Sequence, residues 1–217
     1  TEDYYAANKL MKGFIGSGNI DTNSRLCMAS SVAGHRRAFG SDTVPGNYED
    51  LEEADLIVLV GSNLAWCHPV LFQRIMAAKD KRPAIQIVTI DPRRTVTSEA
   101  ADLHLGVSPD GDVALFSGLL AWLKKHGKID ETYVADHTNG FETALAASLH
   151  SLADVAFATG LSESELVTFY TLFAATEKTV TVYSQGVNQS ASGTNTDNAI
   201  SNWHVVSDRL GRPGRGT

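Results

Sequence analysis

Three apolar, β-branched runs, each stopping at a polar or glycine-bearing turn, constrain this chain more than any other feature. They are DLIVLVGSN from Asp55, AIQIVTIDPRR from Ala84 and KTVTVYSQGVNQS from Lys178. Unbroken rather than alternating hydrophobicity predicts strands buried on both faces, the pattern of a parallel sheet. Between the first two runs, HPVLFQRIMAAKDK places Val70, Leu71, Ile75 and Ala78 on one face at helical spacing. That segment reads as strand, helix, strand. A weaker run, ADLHLGV from Ala101, predicts a short fourth strand.

Three further helices carry start signals. GDVALFSGLLAWLKKHG opens on Asp112, ends on lysines and lines up Val113, Phe116, Leu119, Leu120 and Leu123, as the helix dipole and an apolar stripe require. Ser162 and Glu165 have capping-box spacing ahead of Leu166, Phe169, Tyr170 and Phe173. Thr194 and Asp197 repeat that spacing before Ile200, Trp203, Val206 and Leu210, with Gly211 and Pro213 expected to close the helix. Strands alternating with helices predict an α/β fold: three-layer, Rossmann-like, a mostly parallel sheet with helices on both faces. No internal repeat or linker divides the chain, so residues 1–217 read as one α/β unit or two packed subdomains.

A formal charge of -7 disfavours a nonspecific grip on nucleic acid, and no run approaches the length of apolar residues that a membrane span needs. Two cysteines without a partner pattern suggest neither a disulfide framework nor a zinc site, and the first residues do not resemble a signal peptide. The expected location is the cytoplasm. Both ends nevertheless look cut from something longer.

In sheets of this kind, ligands bind where strands end and the chain turns toward a helix. Gly61 allows close approach to the backbone, and Ser62, Asn63 and free helix amides can donate to phosphate. Asp91 can hold a ribose or guanine edge, while Arg93 and Arg94 can grip phosphate. Gln185, Asn188 and Gln189 offer amides, donor and acceptor together, which suit a heterocycle such as a pterin. Small polar residues also follow strands for no functional reason, so each turn alone admits a plainer reading.

Cys27 falls near an expected helix start with Arg25 close by, a setting that favours a metal-binding thiolate. A small buried hydrophobe is the plainer alternative, and Cys67, between Trp66 and Pro69, reads as packing. The seven histidines (35, 68, 104, 126, 137, 150 and 204) are dispersed. No HExxH pattern, phosphate loop, GxGxxG fingerprint or nucleophile elbow is present.

Taken in order, NIDTNSRLCMASSVAGHRRAFG, YEDLEEADLIVLVGSNLAWCHPVLFQRI, IDPRRT, SPDGDVALFSGLL and GVNQSASGTNTDNAISN with GRPG resemble the bacterial molybdopterin nitrate reductases, the assimilatory ones above all. The resemblance covers essentially the whole chain. It implies a bis(molybdopterin guanine dinucleotide) cofactor whose molybdenum is ligated by Cys27. It further implies cofactor contacts at Asn23, Gly61, Ser62, Asn63, Asp91, Arg93, Asp110, Asp112, Gln185 and Gln189. Many relatives carry methionine where this chain has Gln185. Formate dehydrogenases of the superfamily typically have histidine after the metal-binding cysteine, where this chain has Met28, and the dimethyl sulfoxide reductase-like members usually ligate through serine.

The implied reaction is reduction of nitrate to nitrite by oxygen-atom transfer, with electrons from a redox donor protein or domain. Members of the family normally carry an N-terminal iron-sulfur segment and a C-terminal cofactor-binding domain, neither of which is in this sequence. The expectation is therefore an isolated segment with little or no activity. A formate dehydrogenase-like enzyme, a noncatalytic structural or electron-transfer relative and a generic nucleotide-binding module are the alternatives.

Overall fold

Burial on both sides is what the apolar runs demand, and the sheet provides it. The computed structural model describes residues 2–148 and 151–217; His150 lies outside them. The strands are β1 (Leu56–Val60), β2 (Gln86–Ile90), β3 (Leu103–Leu105) and β4 (Thr179–Tyr183). All pairings are parallel and the order is β3-β2-β1-β4. Five helices of more than ten residues surround them among the described residues: α1 (Ala29–Phe39), α2 (Pro69–Lys81), α3 (Asp112–Lys125), α4 (Glu163–Ala175) and α5 (Gly193–Val206).

Every residue of the central strand β1 is buried. Leu56, Val58 and Val60 enter a core with Phe116 and Leu119 of α3, Phe169 and Phe173 of α4, and Ile200 and Trp203 of α5. Ile57 and Leu59 point the other way, against Ile75 and Ala78 of α2. Successive strand residues face opposite sides, so helices must cover both faces. Each fully buried side chain of this size contributes about 1.5–3 kcal/mol. Tyr170 remains compatible with the core because its hydroxyl donates to the Leu115 carbonyl at 2.6 Å.

The capping box at Ser162 forms as expected: Glu165 N donates to Ser162 Oγ at 3.3 Å and Ser162 N donates to Glu165 Oε2 at 2.8 Å. The one expected at Thr194 does not. Helix α5 already begins at Gly193, Thr194 Oγ1 donates to the Ser30 carbonyl at 3.3 Å, and Asp197 is fully buried against α1. A carboxylate drawn inward by tertiary packing is not free to cap. The same helix ends at Val206, ahead of Leu210, and the chain reverses at Asp208 with φ +51°. Leu115 is fully buried on α3 while Val113 is only partly so, and Val70, in the first turn of α2, faces outward.

Candidate active site

The connection from β1 runs outward to β2 and β3 before the chain returns to β4 on the other side of β1. The direction of the connections therefore reverses between β1 and β4, and ligands of such sheets bind at the carboxyl ends of the strands beside a reversal of this kind. There Gly61 and Gly186 meet. Gly186 N donates to the Gly61 carbonyl at 3.0 Å, and a Cβ on Gly61 would lie 2.7 Å from the Gly186 Cα. The absent side chain at Gly61 thus serves an approach of backbone to backbone, with φ at +53°.

Beside this contact, Ser62 is buried and its hydroxyl has no partner. Asn63 starts the one-turn helix Leu64–Cys67 and is held by Thr97, whose Oγ1 donates to Asn63 Oδ1 at 2.8 Å and accepts from Ala65 N at 3.0 Å. Thr97 stands 34 positions away, so no local pattern pointed to it. Cys67 and Trp66 are exposed, contrary to the packing read from their neighbours.

At the end of β2, Asp91 Oδ1 accepts from Arg93 N at 2.9 Å, a turn that leaves the Arg93 side chain exposed and without an ion pair among the described residues. Asp110 has φ +64° and accepts from Ser192 Oγ at 3.4 Å, tying the turn before α3 to the start of α5. Asp112 is partly buried at the first position of α3. Burial, together with the Asp110 and Asp91 carboxylates, pushes its pKa up to about 6 against the stabilising backbone hydrogen bond. His104, hydrogen-bonded to Thr89 Oγ1 at 3.0 Å, has its pKa lowered by burial and by Arg94.

Cys27 closes the one-turn helix Ser24–Cys27, immediately before the residue that leads into α1. Its N–H donates to the Asn23 carbonyl at 3.0 Å, and Gln189 Nε2 donates to Cys27 Sγ at 3.3 Å. Two residues 162 apart in sequence therefore meet. Arg25 points elsewhere, pairing with Asp21 at 2.9 Å. Of the three amides in the third turn, Gln185 and Gln189 are exposed, with Gln185 Oε1 accepting from Ser184 Oγ. Asn188 is turned inward: it donates to Met28 Sδ at 3.0 Å and accepts from Ser31 Oγ, so it steadies the Cys27 loop.

The carboxyl ends of the strands thus carry a partly exposed thiol, two exposed side-chain amides, an arginine, three carboxylates and an unsatisfied serine. Such a set can ligate a soft metal, recognise a nitrogen heterocycle and contact a phosphorylated ribose.

Comparison with known proteins places the chain in a family. The profile of the family described as molybdopterin oxidoreductase matches residues 1–217. The chain is 51% identical over 219 residues to a nitrate reductase of Shewanella frigidimarina, covering 100% of this chain and 23% of that protein. It is also 51% identical over 217 residues to a nitrate reductase of Klebsiella oxytoca, covering 100% of this chain and 24% of that one. Among solved structures, acetylene hydratase from Pelobacter acetylenicus superimposes with a TM-score of 0.75 at 22% identity, over 94% of this chain and 27% of that one. At that identity the likeness is one of fold. The chain spans about a quarter of the length of the two nitrate reductases.

Proposed function

The chain belongs to the molybdopterin oxidoreductase family, and from that premise we propose that it is the cofactor-holding segment of an enzyme that reduces nitrate to nitrite. The observation that carries this reading is the 3.3 Å contact from Gln189 to the Cys27 thiol beside the reversal of the connections. It puts a soft ligand and a pterin-suited amide at one point.

The donor set fits a molybdenum bis(molybdopterin guanine dinucleotide). Cys27 is the metal ligand, with Asn23 at the start of its turn. Ser62, whose buried hydroxyl lacks a partner, sits with Gly61 and Asn63 where phosphate or sugar oxygens need donors. Asp91, Arg93, Asp110 and Asp112 take the guanine nucleotide ends, and Gln185 and Gln189 take the pterin. When bound, the cofactor supplies the two-electron chemistry of oxygen-atom transfer. The residues of this chain bind and orient it, and Asn188 holds the Met28 neighbour of Cys27 in place. Met28 stands where formate-oxidising members of the superfamily typically carry histidine, which favours nitrate over formate as substrate.

Electrons come from a redox donor through an iron-sulfur cluster elsewhere in the parent enzyme, which works in the cytoplasm. The isolated segment then has little or no nitrate reductase activity. Molybdenum and pterin content of the full-length parent, with and without Cys27→Ser, tests the assignment. Loss of turnover with an altered molybdenum spectrum is expected, whereas unchanged coordination and turnover would remove Cys27 from the metal.

A further inference from the structure

A second site stands at the opposite end of the strands from Cys27, where α3 and α4 finish and β4 begins. Arg209 is 6% exposed and has no carboxylate in ion-pairing range among the described residues. Its guanidinium lies 4.3 Å from the centre of the Phe173 ring, and Nη2 donates to the Phe173 carbonyl at 3.2 Å. Nη1 has no partner at all.

The acids nearby are already engaged. Glu177 pairs with Arg215 at 2.5 Å, Asp208 pairs with Arg212, and Asp130 caps the helix Glu131–His137 through Tyr133 N at 2.8 Å. Glu177 is thus spent on Arg215, and Arg209 feels it only as a charge beyond pairing distance. Burial and Arg215 push the Arg209 pKa down to about 10, against the pull of Glu177. A cavity of about 330 Å³ opens here, lined by the basic Lys128, Arg209, Arg212 and Arg215 and by the same three engaged acids.

An incompletely compensated buried guanidinium is costly, and an aromatic face and one carbonyl offset only part of that cost. A compact anion with several acceptor oxygens would complete the site, since guanidinium forks match oxyanion geometry. We propose that this cavity binds a small tetrahedral oxyanion of the phosphate or sulfate type, held between Arg209 and Arg215 with Lys128 at the rim. The site is independent of the molybdenum reading, because it shares no residue with the Cys27 site.

Calorimetric titration of the 217-residue chain with inorganic phosphate and with sulfate, against chloride at matched ionic strength, tests this. One saturable site is expected, weakened roughly tenfold or more by Arg209→Met and more modestly by Lys128→Gln, and left intact by Arg36→Ala, an exposed arginine of α1 outside both sites. Lys128 is exposed and outside both cores, so its variant decides the matter if Arg209→Met does not fold. Absence of saturable binding overturns the proposal. So does binding that ignores both cavity variants, or binding abolished by Arg36→Ala.

Discussion

Gly61 and Gly186 pass so closely that a Cβ on the first would lie 2.7 Å from the Cα of the second, and one on the second would lie 2.6 Å from the Cα of the first. The obstruction is backbone, which no rotamer change relieves. Alanine at either position is expected to destabilise the fold by about 1–3 kcal/mol through overpacking, with added strain at Gly61 from its positive φ. Urea unfolding checks this, and an unchanged midpoint for Gly186→Ala would show that the two turns are not jammed together.

The packing of α1 on α5 hinges on another missing side chain. A Cβ at Gly34 would sit 1.7 Å from Asp197 Oδ2, whose carboxylate is buried with its pKa raised, first of all by burial. His35 Nε2 lies 3.8 Å from Asp197 Oδ1 and 2.9 Å from the Tyr183 hydroxyl. Gly34→Ala is therefore expected to lower stability, and Asp197→Ser in that background to recover part of the loss. A double-mutant cycle with no coupling would contradict the contact.

Asp112 should titrate near pH 6, readable as the midpoint of its carboxyl NMR shift. Its folded pKa lies above the ordinary aspartate value of about 3.9, so the folded chain holds the proton longer than the unfolded one. Stability from this group is full at acid pH and declines as pH rises from about 4 to about 6. Asp112→Asn is expected to flatten that window and to raise stability at neutral pH. A midpoint near 4 would mean that solvent reaches the carboxylate freely.

Thr97 holds the first turn through two hydrogen bonds, to Asn63 and from Ala65. Thr97→Val keeps the shape but leaves both partners unsatisfied, at an expected cost of about 1–3 kcal/mol. Amide exchange at Ala65 should accelerate with it. Equal protection in the variant would place the restraint elsewhere.

The helix capped by Ser162 shows the reverse case, in which the start signal is a local pair of hydrogen bonds between Ser162 and Glu165. Ser162→Ala is expected to cost about 1 kcal/mol, measurable by thermal unfolding, and no change would mean that packing alone sets where α4 begins.

Much of this was legible in the sequence because it is local. Unbroken apolar runs mark β1, β2 and β4, a period of 3.6 marks α3 and α4, and a three-residue spacing marks the cap at Ser162. The turns at Gly61, Asp91 and Gln185 were identifiable as strand ends for the same reason. The Thr194 and Asp197 spacing was misleading, since the carboxylate answered to α1 across the fold.

The sequence by itself determined the strands, the longer helices and the three turns at the carboxyl ends of the strands, because backbone propensity and burial periodicity act over a few residues. Only the tertiary structure decided that Gln189 meets Cys27, that Thr97 fixes Asn63, that Asn188 faces inward to Met28 and that Gly61 yields to Gly186. These contacts join residues far apart along the chain. Gly61 meets Gly186 because β1 pairs with β4, and Thr97 meets Asn63 because β1 pairs with β2, three-dimensional pairings that no local spacing encodes.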